Sequence, residues 1–219
     1  MLERMDAFFA ARLDTYESHM LQGIEGAEEF YPFTAACLPE TPGAEVLDLG
    51  CGTGLELQWY FARNPQARVT GIDLSEAMLN RLREKFPDRS LNLLQGSYFE
   101  LPLGEARFDG AVSVESLHHF PEEQKTALYH KLYRALKPGG AFILTDYLAD
   151  DEREEEFFFR ELARLREEQG ITDGEFYHYD TPLTLEHEIR ALKNAGFDTV
   201  EELAAWGKTH ILRAKRKNT

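Results

Sequence analysis

The residues of this chain best placed to do chemistry are Asp48, Gly50, Gly52 and Gly54, in the run Val46-Leu47-Asp48-Leu49-Gly50-Cys51-Gly52-Thr53-Gly54. An apolar strand-like stretch runs into three glycines spaced by two, and a helical pattern begins straight after them. Glycines let a backbone turn sharply and approach a ligand closely, and a helix N-terminus favours negative groups. A dinucleotide fingerprint would leave two residues before its last glycine and seat a pyrophosphate there. The tighter spacing suits a ligand with a carboxylate, received by backbone amides, and an ammonium group. Asp48 either organises the loop or receives the ammonium through water. A strand-to-helix turn with no ligand is the competing reading. Further on, Gly71-Ile72-Asp73-Leu74 ends the next strand with an acid. A carboxylate there can accept both hydroxyls of an adenosine ribose.

These residues need a scaffold, and the pattern around them supplies one. Met5, Phe9, Leu13, Tyr16 and Met20 recur at helical spacing, so the first forty residues read as helix. Strands are expected over 45–49, 68–72, 91–94, 108–114 and 141–147. Helices alternate with them, one capped by Ser75 with Met78, Leu79, Leu82 and Phe86 on one face, another starting at Pro121. Lys137-Pro138-Gly139-Gly140 reads as a turn. The alternation predicts an α/β fold, a doubly wound, mostly parallel sheet with helices on both faces. A helix over 184–195 and a strand pair over 197–205 and 208–214 close the chain. One domain is expected: an N-terminal helical cap (1–42), a ligand-binding core (43–149), an insertion acting as a lid (150–182) and the C-terminal helix and strand pair (183–219). A surface helical hairpin is the alternative for the insertion.

The formal net charge of -15 repels phosphate backbones and anionic membranes, because affinity for polyanions comes largely from Lys and Arg. Nucleic acid is therefore not the expected partner. Arg213, Lys215, Arg216 and Lys217 form the only basic cluster and read as a solvated tail. Two cysteines, Cys37 and Cys51, make neither a disulfide framework nor an iron–sulfur cluster, and no metal site is expected. No signal pattern or membrane span is read, so the cytoplasm is the expected compartment, with a monomer or homodimer as the expected state.

Taken in order, Val46–Gly54, Gly71–Ser75, Phe108–Val112 with Leu117-His118-His119-Phe120, and Leu136–Gly140 resemble the motifs of class I (Rossmann-like) S-adenosylmethionine-dependent methyltransferases. The resemblance covers most of residues 40–147, and Ala195-Gly196-Phe197 leads into what resembles the family's antiparallel final strands. It implies a seven-stranded sheet, S-adenosylmethionine as cofactor and S-adenosylhomocysteine as product. It also implies a cofactor site of Asp48, Gly50, Cys51, Gly52, Gly54, Asp73, Leu74, Met78, Gly96, Ser97, Tyr98, Glu115 and His119. Where members often carry an acid for the adenine amino group, this chain has Gln95-Gly96-Ser97-Tyr98, where the Ser97 hydroxyl or the Tyr98 backbone can substitute.

A sulfonium methyl is already activated, so the protein chiefly aligns a nucleophile. A base is needed only if the acceptor loses a proton, and His118 and His119 are the candidates, with shaping the pocket as their other role. The chain lacks the Asn/Asp-Pro-Pro-aromatic motif of exocyclic-amine methylation and the Pro-Cys nucleophile of pyrimidine methylation. A small-molecule oxygen, nitrogen or carbon acceptor remains. Its expected pocket is aromatic: Tyr16, His19, Met20 and Tyr147, with Tyr177 and Tyr179 beside Phe176 and His178 from the insertion. A non-catalytic protein that binds the cofactor is the alternative, to be told apart by whether a cavity reaches the methyl group. A nicotinamide-dependent oxidoreductase would need the longer glycine spacing.

Overall fold

In a computed structural model, which describes residues 1–218, seven strands form one sheet in the order β3-β2-β1-β4-β5-β7-β6. The strands are β1 (Glu45–Leu49), β2 (Arg68–Asp73), β3 (Ser90–Gln95), β4 (Phe108–Val114), β5 (Leu136–Tyr147), β6 (Thr199–Trp206) and β7 (Thr209–Lys215). β1 to β5 run parallel, and β7 inserts antiparallel between β5 and β6. The helices are α1 (Met5–Ala11), α2 (Leu13–Gly23), α3 (Ala27–Ala36), α4 (Leu55–Arg63), α5 (Glu76–Lys85), α6 (Glu122–Ala135), α7 (Glu152–Glu168) and α8 (Leu185–Asn194). The α/β expectation therefore holds, with strand ends displaced by a residue or two except in β5, which begins five residues early.

The sheet is covered on both faces, which is why β1 and β4 are buried along nearly their whole length instead of alternating. One face carries Leu47, Leu49, Ile72, Phe142 and Leu144 under α6 and α8, and the other carries Val46, Val69, Val112 and Ile143 under α3 and α4. Ser75 caps α5 by accepting from Met78 N at 3.4 Å, and Thr184 caps α8 by accepting from His187 N at 3.3 Å.

The N-terminal helices number three, with breaks at Arg12 and between Gly23 and Ala27. Three details depart from the sequence reading. Pro121 is the cap of α6 rather than its first residue. Lys137-Pro138-Gly139-Gly140 keeps the expected turn, with Gly139 at φ 79°, but it lies within the span of β5, where the register jumps from Phe108–Leu136 to Gly110–Ala141. The chain's end explains this: Gly139 N donates to Lys217 O (3.0 Å) and Arg216 N to Gly140 O (2.9 Å), giving the glycines strand partners. The basic tail is correspondingly not free, since Arg213 and Lys215 belong to β7, Arg216 donates to the Tyr133 carbonyl at 3.0 Å and Lys217 pairs with Asp198 at 3.0 Å.

Residues 150–182 divide into two parts. α7 buries no residue, and its Glu155 and Phe159 line a groove with residues of α6 rather than the sheet's carboxyl edge. The extended stretch 176–180 covers that edge instead. It is held to the N-terminus by Met5 N donating to Phe176 O and His178 N donating to Glu3 O, both at 2.9 Å. Among the described residues, no helix is long and apolar enough to cross a membrane.

Candidate active site

In an open α/β sheet, ligands gather outside the carboxyl ends of the strands where the order reverses, here between β1 and β4. β1 delivers the glycine loop to that point. Gly50 and Gly52 adopt φ of 70° and 46°, a region that side chains disfavour. A Cβ on Gly50 would stand 2.0 Å from Ser116 Oγ. Asp73, at the end of β2, anchors the loop: one carboxylate oxygen accepts from Gly52 N at 2.9 Å and the other from Ser75 N at 2.8 Å. A narrow crevice opens there, bounded by Gly50, Gly52, Asp73, Leu74, Met78, Tyr98, Glu115 and His119.

Behind the loop, Asp48 and Glu56 are both buried, and Asp48 Oδ2, Glu56 Oε1 and Thr53 Oγ1 have no hydrogen-bond partner among the described residues. Orphaned buried acceptors are costly. Grouped at one loop, they fit a ligand that brings an ammonium group to backbone amides. Burial, reinforced by the neighbouring Glu56, lifts Asp48 well above the usual carboxylate range, and burial also raises Glu56. The folded state then keeps protons that the unfolded chain releases from about pH 4 upward. This contribution to stability is complete in acid and is lost as pH rises through the folded pKa. Asp48→Asn removes one of these titrations, so its urea midpoint should fall less between pH 5 and 8 than the wild type's. Equal slopes in the two proteins would refute the paired-acid reading.

A second cavity, of about 1020 Å³, adjoins the crevice. Tyr16, His19, Met20, Tyr147, Trp206 and His178 line it, with His118 and Asp180. Phe9, Tyr16, Glu115 and His119 belong to both cavities and form the wall between them.

The histidine pair sits on a single 3-10 turn, Leu117–His119, just after β4. His118 Nδ1 meets Asp146 Oδ1, at the end of β5, at 2.6 Å. Burial alone would lower His118, but Asp146, aided by Asp180, outweighs it and raises the imidazole to about 10. His119 goes the other way: burial and then the charge of His118 push it down. Burial likewise lowers His178, which stacks on Phe8 at 3.6 Å, to about 4, and lifts Glu115 to about 7.

The residues named from sequence are distributed unevenly. Asp73, Leu74, Met78, Tyr98, Glu115 and His119 line the crevice with the glycines, whereas Asp48, Cys51 and Gly54 support the loop from behind. Gly96 and Ser97 do not line it, and the Ser97 hydroxyl is occupied in accepting from Phe99 N at 3.2 Å. Tyr177 and Tyr179 are not on the larger cavity's wall. In an extended segment successive side chains alternate. Phe176 packs inward on Phe120, and His178 and Asp180 face the cavity, so Tyr177 turns to Asp173 and Tyr179 to Phe158. Sequence reasoning missed Met5, Asp6, Ser75 and Ser116 in the crevice and Asp180 in the cavity. The helical stripe of Met5 and Phe9 signalled burial, but nothing local marked Asp180.

Comparison with known proteins is consistent with this geometry. A family described as a methyltransferase domain matches residues 46–140. The chain is 30% identical over 171 residues to the sterol 24-C-methyltransferase ERG6B of Gibberella zeae, covering 75% of this chain and 42% of that protein. It is 35% identical over 142 residues to erythromycin 3''-O-methyltransferase of Saccharopolyspora erythraea, covering 60% and 45% respectively. The chain thus spans less than half the length of either relative. Human N-acetylserotonin methyltransferase, solved in complex with SAM, superposes with a TM-score of 0.69 at 17% identity, over 98% of this chain and 59% of that one. At that identity the likeness speaks for the fold.

Proposed function

Because the chain belongs to the class I S-adenosylmethionine-dependent methyltransferases, we propose that it methylates a small-molecule oxygen, nitrogen or carbon acceptor seated in the larger cavity. The observation that carries this reading is the shared wall: Phe9, Tyr16, Glu115 and His119 face both the cofactor crevice and a cavity roomy enough for a second reactant. The bound cofactor supplies an electrophilic methyl group. The glycine loop and Asp48 would hold its amino-acid end, Asp73 its ribose, and Met78 and Tyr98 would lie beside its adenine. The chain's own task is alignment and exclusion of water, which alone is worth several orders of magnitude. Phe8, Tyr147 and Trp206 give the acceptor an aromatic seat, and His118, His119 and Asp180 give it a polar end. The surface charge of -15 speaks for a small molecule over nucleic acid.

The test is transfer of labelled methyl from S-adenosylmethionine across a panel of hydroxyl, amine and carbon acids, followed by Tyr147→Ala with the acceptor found. Tyr147 lines only the larger cavity, and losing its ring contact is worth about 1.5–3 kcal/mol. The acceptor KM should rise at least about tenfold while the Kd for S-adenosylmethionine stays unchanged. An unchanged KM would show that the acceptor sits elsewhere. No transfer to any acceptor by protein that binds the cofactor would favour a non-catalytic binder.

A further inference from the structure

The geometry around Asp180 points to a divalent transition-metal site in the floor of the acceptor cavity, with His118, His119 and Asp180 as its protein ligands. Asp180 Oδ1 stands 3.5 Å from His118 Nε2 and 3.3 Å from His119 Nδ1, and the three donor atoms all lie within 4.8 Å of one another. These spacings are long for charge-assisted hydrogen bonds, which run about 2.7–2.9 Å. The contact of His118 Nδ1 with Asp146, at 2.6 Å, shows what such a bond looks like in the same cluster. They do match the edges of a coordination shell. An ion with bonds of about 2.1 Å sets neighbouring donors about 3.0 Å apart in an octahedron and about 3.4 Å apart in a tetrahedron.

The surroundings are those of a ligated imidazole. A metal-binding histidine commonly gives its other ring nitrogen to a carboxylate, which fixes the ring and directs the free lone pair. Asp146 does this for His118, and is itself held by Leu117 N donating to Oδ2 at 3.0 Å and Tyr147 N donating to Oδ1 at 3.1 Å. His119 Nδ1 gives its proton to the Tyr179 carbonyl at 3.2 Å and His118 Nε2 turns its own toward Asp180 at 3.5 Å; an ion would displace both protons to water. Two imidazoles and one carboxylate suit zinc, iron(II), cobalt(II) or manganese(II) rather than calcium. Three protein ligands beside a cavity leave coordination positions open toward it, the arrangement of catalytic rather than structural sites.

The role of the ion rests on the acceptor reading given above, although its binding does not. An acceptor hydroxyl or amine held there loses its proton more easily. That proton leaves to water, the new bond to carbon forms as the sulfonium's bond to its methyl breaks, and S-adenosylhomocysteine departs neutral at sulfur. His119, common to both cavities, places the ion next to the cofactor crevice.

The full chain, stripped with a chelator and dialysed, is titrated with Co²⁺ alone and followed by calorimetry and visible absorption. One Co²⁺ per chain is expected, with ligand-field bands in the visible. Asp180→Ala and His119→Ala should each abolish the bands, and Asp146→Asn should weaken binding about 10- to 100-fold. His187→Ala, which removes a separate histidine–glutamate cluster at the surface, should leave binding intact. Circular dichroism and thermal unfolding establish that each variant is folded, and titration with S-adenosylmethionine adds a second check for Asp180→Ala and Asp146→Asn, which lie outside the cofactor crevice. Failure of Co²⁺ to bind, or bands that survive both Asp180→Ala and His119→Ala, overturns the proposal. Methyl transfer that persists in metal-free protein overturns the catalytic role while leaving the methyltransferase reading intact.

Discussion

Replacing Asp73 by alanine is expected to weaken S-adenosylmethionine binding by roughly two to four orders of magnitude. Hydrogen bonds from two ribose hydroxyls to a carboxylate are each worth about 1.5–3 kcal/mol, and about 1.4 kcal/mol is a factor of ten. The structure adds a second reason for a large effect. The same carboxylate accepts from Gly52 N and Ser75 N, so alanine releases the glycine loop from β2 and from the start of α5. Asp73→Asn separates the two contributions. It keeps the shape but replaces one accepting oxygen with an NH₂ group, so one backbone N–H loses its partner and the affinity should fall between those of wild type and alanine. Titration calorimetry with S-adenosylmethionine and S-adenosylhomocysteine decides the matter. An Asp73→Ala protein that binds either ligand within about threefold of wild type would remove Asp73 from the cofactor site.

The second large effect concerns stability and lies away from the site. Lys125 of α6 and Glu188 of α8 form an ion pair at 2.5 Å with both side chains wholly buried, and Tyr129 donates its hydroxyl to the same glutamate. A buried pair gains little over well-packed apolar residues, but removing one partner strands a charge and costs about 3–5 kcal/mol. Glu188→Ala should accordingly lower Tm by roughly 6–20 °C. Replacing the whole cluster, as Lys125→Met with Tyr129→Phe and Glu188→Leu, should recover most of that loss. Thermal unfolding followed by circular dichroism measures both. If Glu188→Ala costs less than about 1 kcal/mol, water reaches the cluster and the burial argument fails.

The sheet was legible because its strands carry their own signals. β1, β2 and β4 are short segments rich in Val, Leu, Ile or small buried residues, each ending at glycine, an acid or a turn, and the helices between them have single apolar faces. The crevice at the glycine loop was legible for the same reason: Gly50, Gly52 and Asp73 sit where strands stop, and strand ends are local events. The lining of the larger cavity was not. Tyr177 and Tyr179 look like pocket residues because they are aromatic, yet which face of an extended segment turns inward is set by its pairing, and a shift of one residue exchanges the faces. That pairing is with Glu3–Met5, more than a hundred residues away along the chain. Gly139 and Gly140 show the same limit: their turn was legible, and Gly139 takes the positive φ it requires, but the returning C-terminal segment that draws them into β5 was not.

The N-terminal segment therefore works as a ruler for the cavity. With Glu3 and Met5 fixing its register, the stretch 176–180 presents an imidazole and a carboxylate to the larger cavity and keeps two phenols out. Insertion or loss of a single residue near Gly174, where the loop is open and a side chain would meet nothing, would slide that register by one step. The polar end of the cavity would then become phenolic, and the carboxylate facing the histidine pair would be withdrawn. A lineage carrying this fold could change the class of molecule it methylates through one length change in a surface loop, without altering any residue that holds the cofactor.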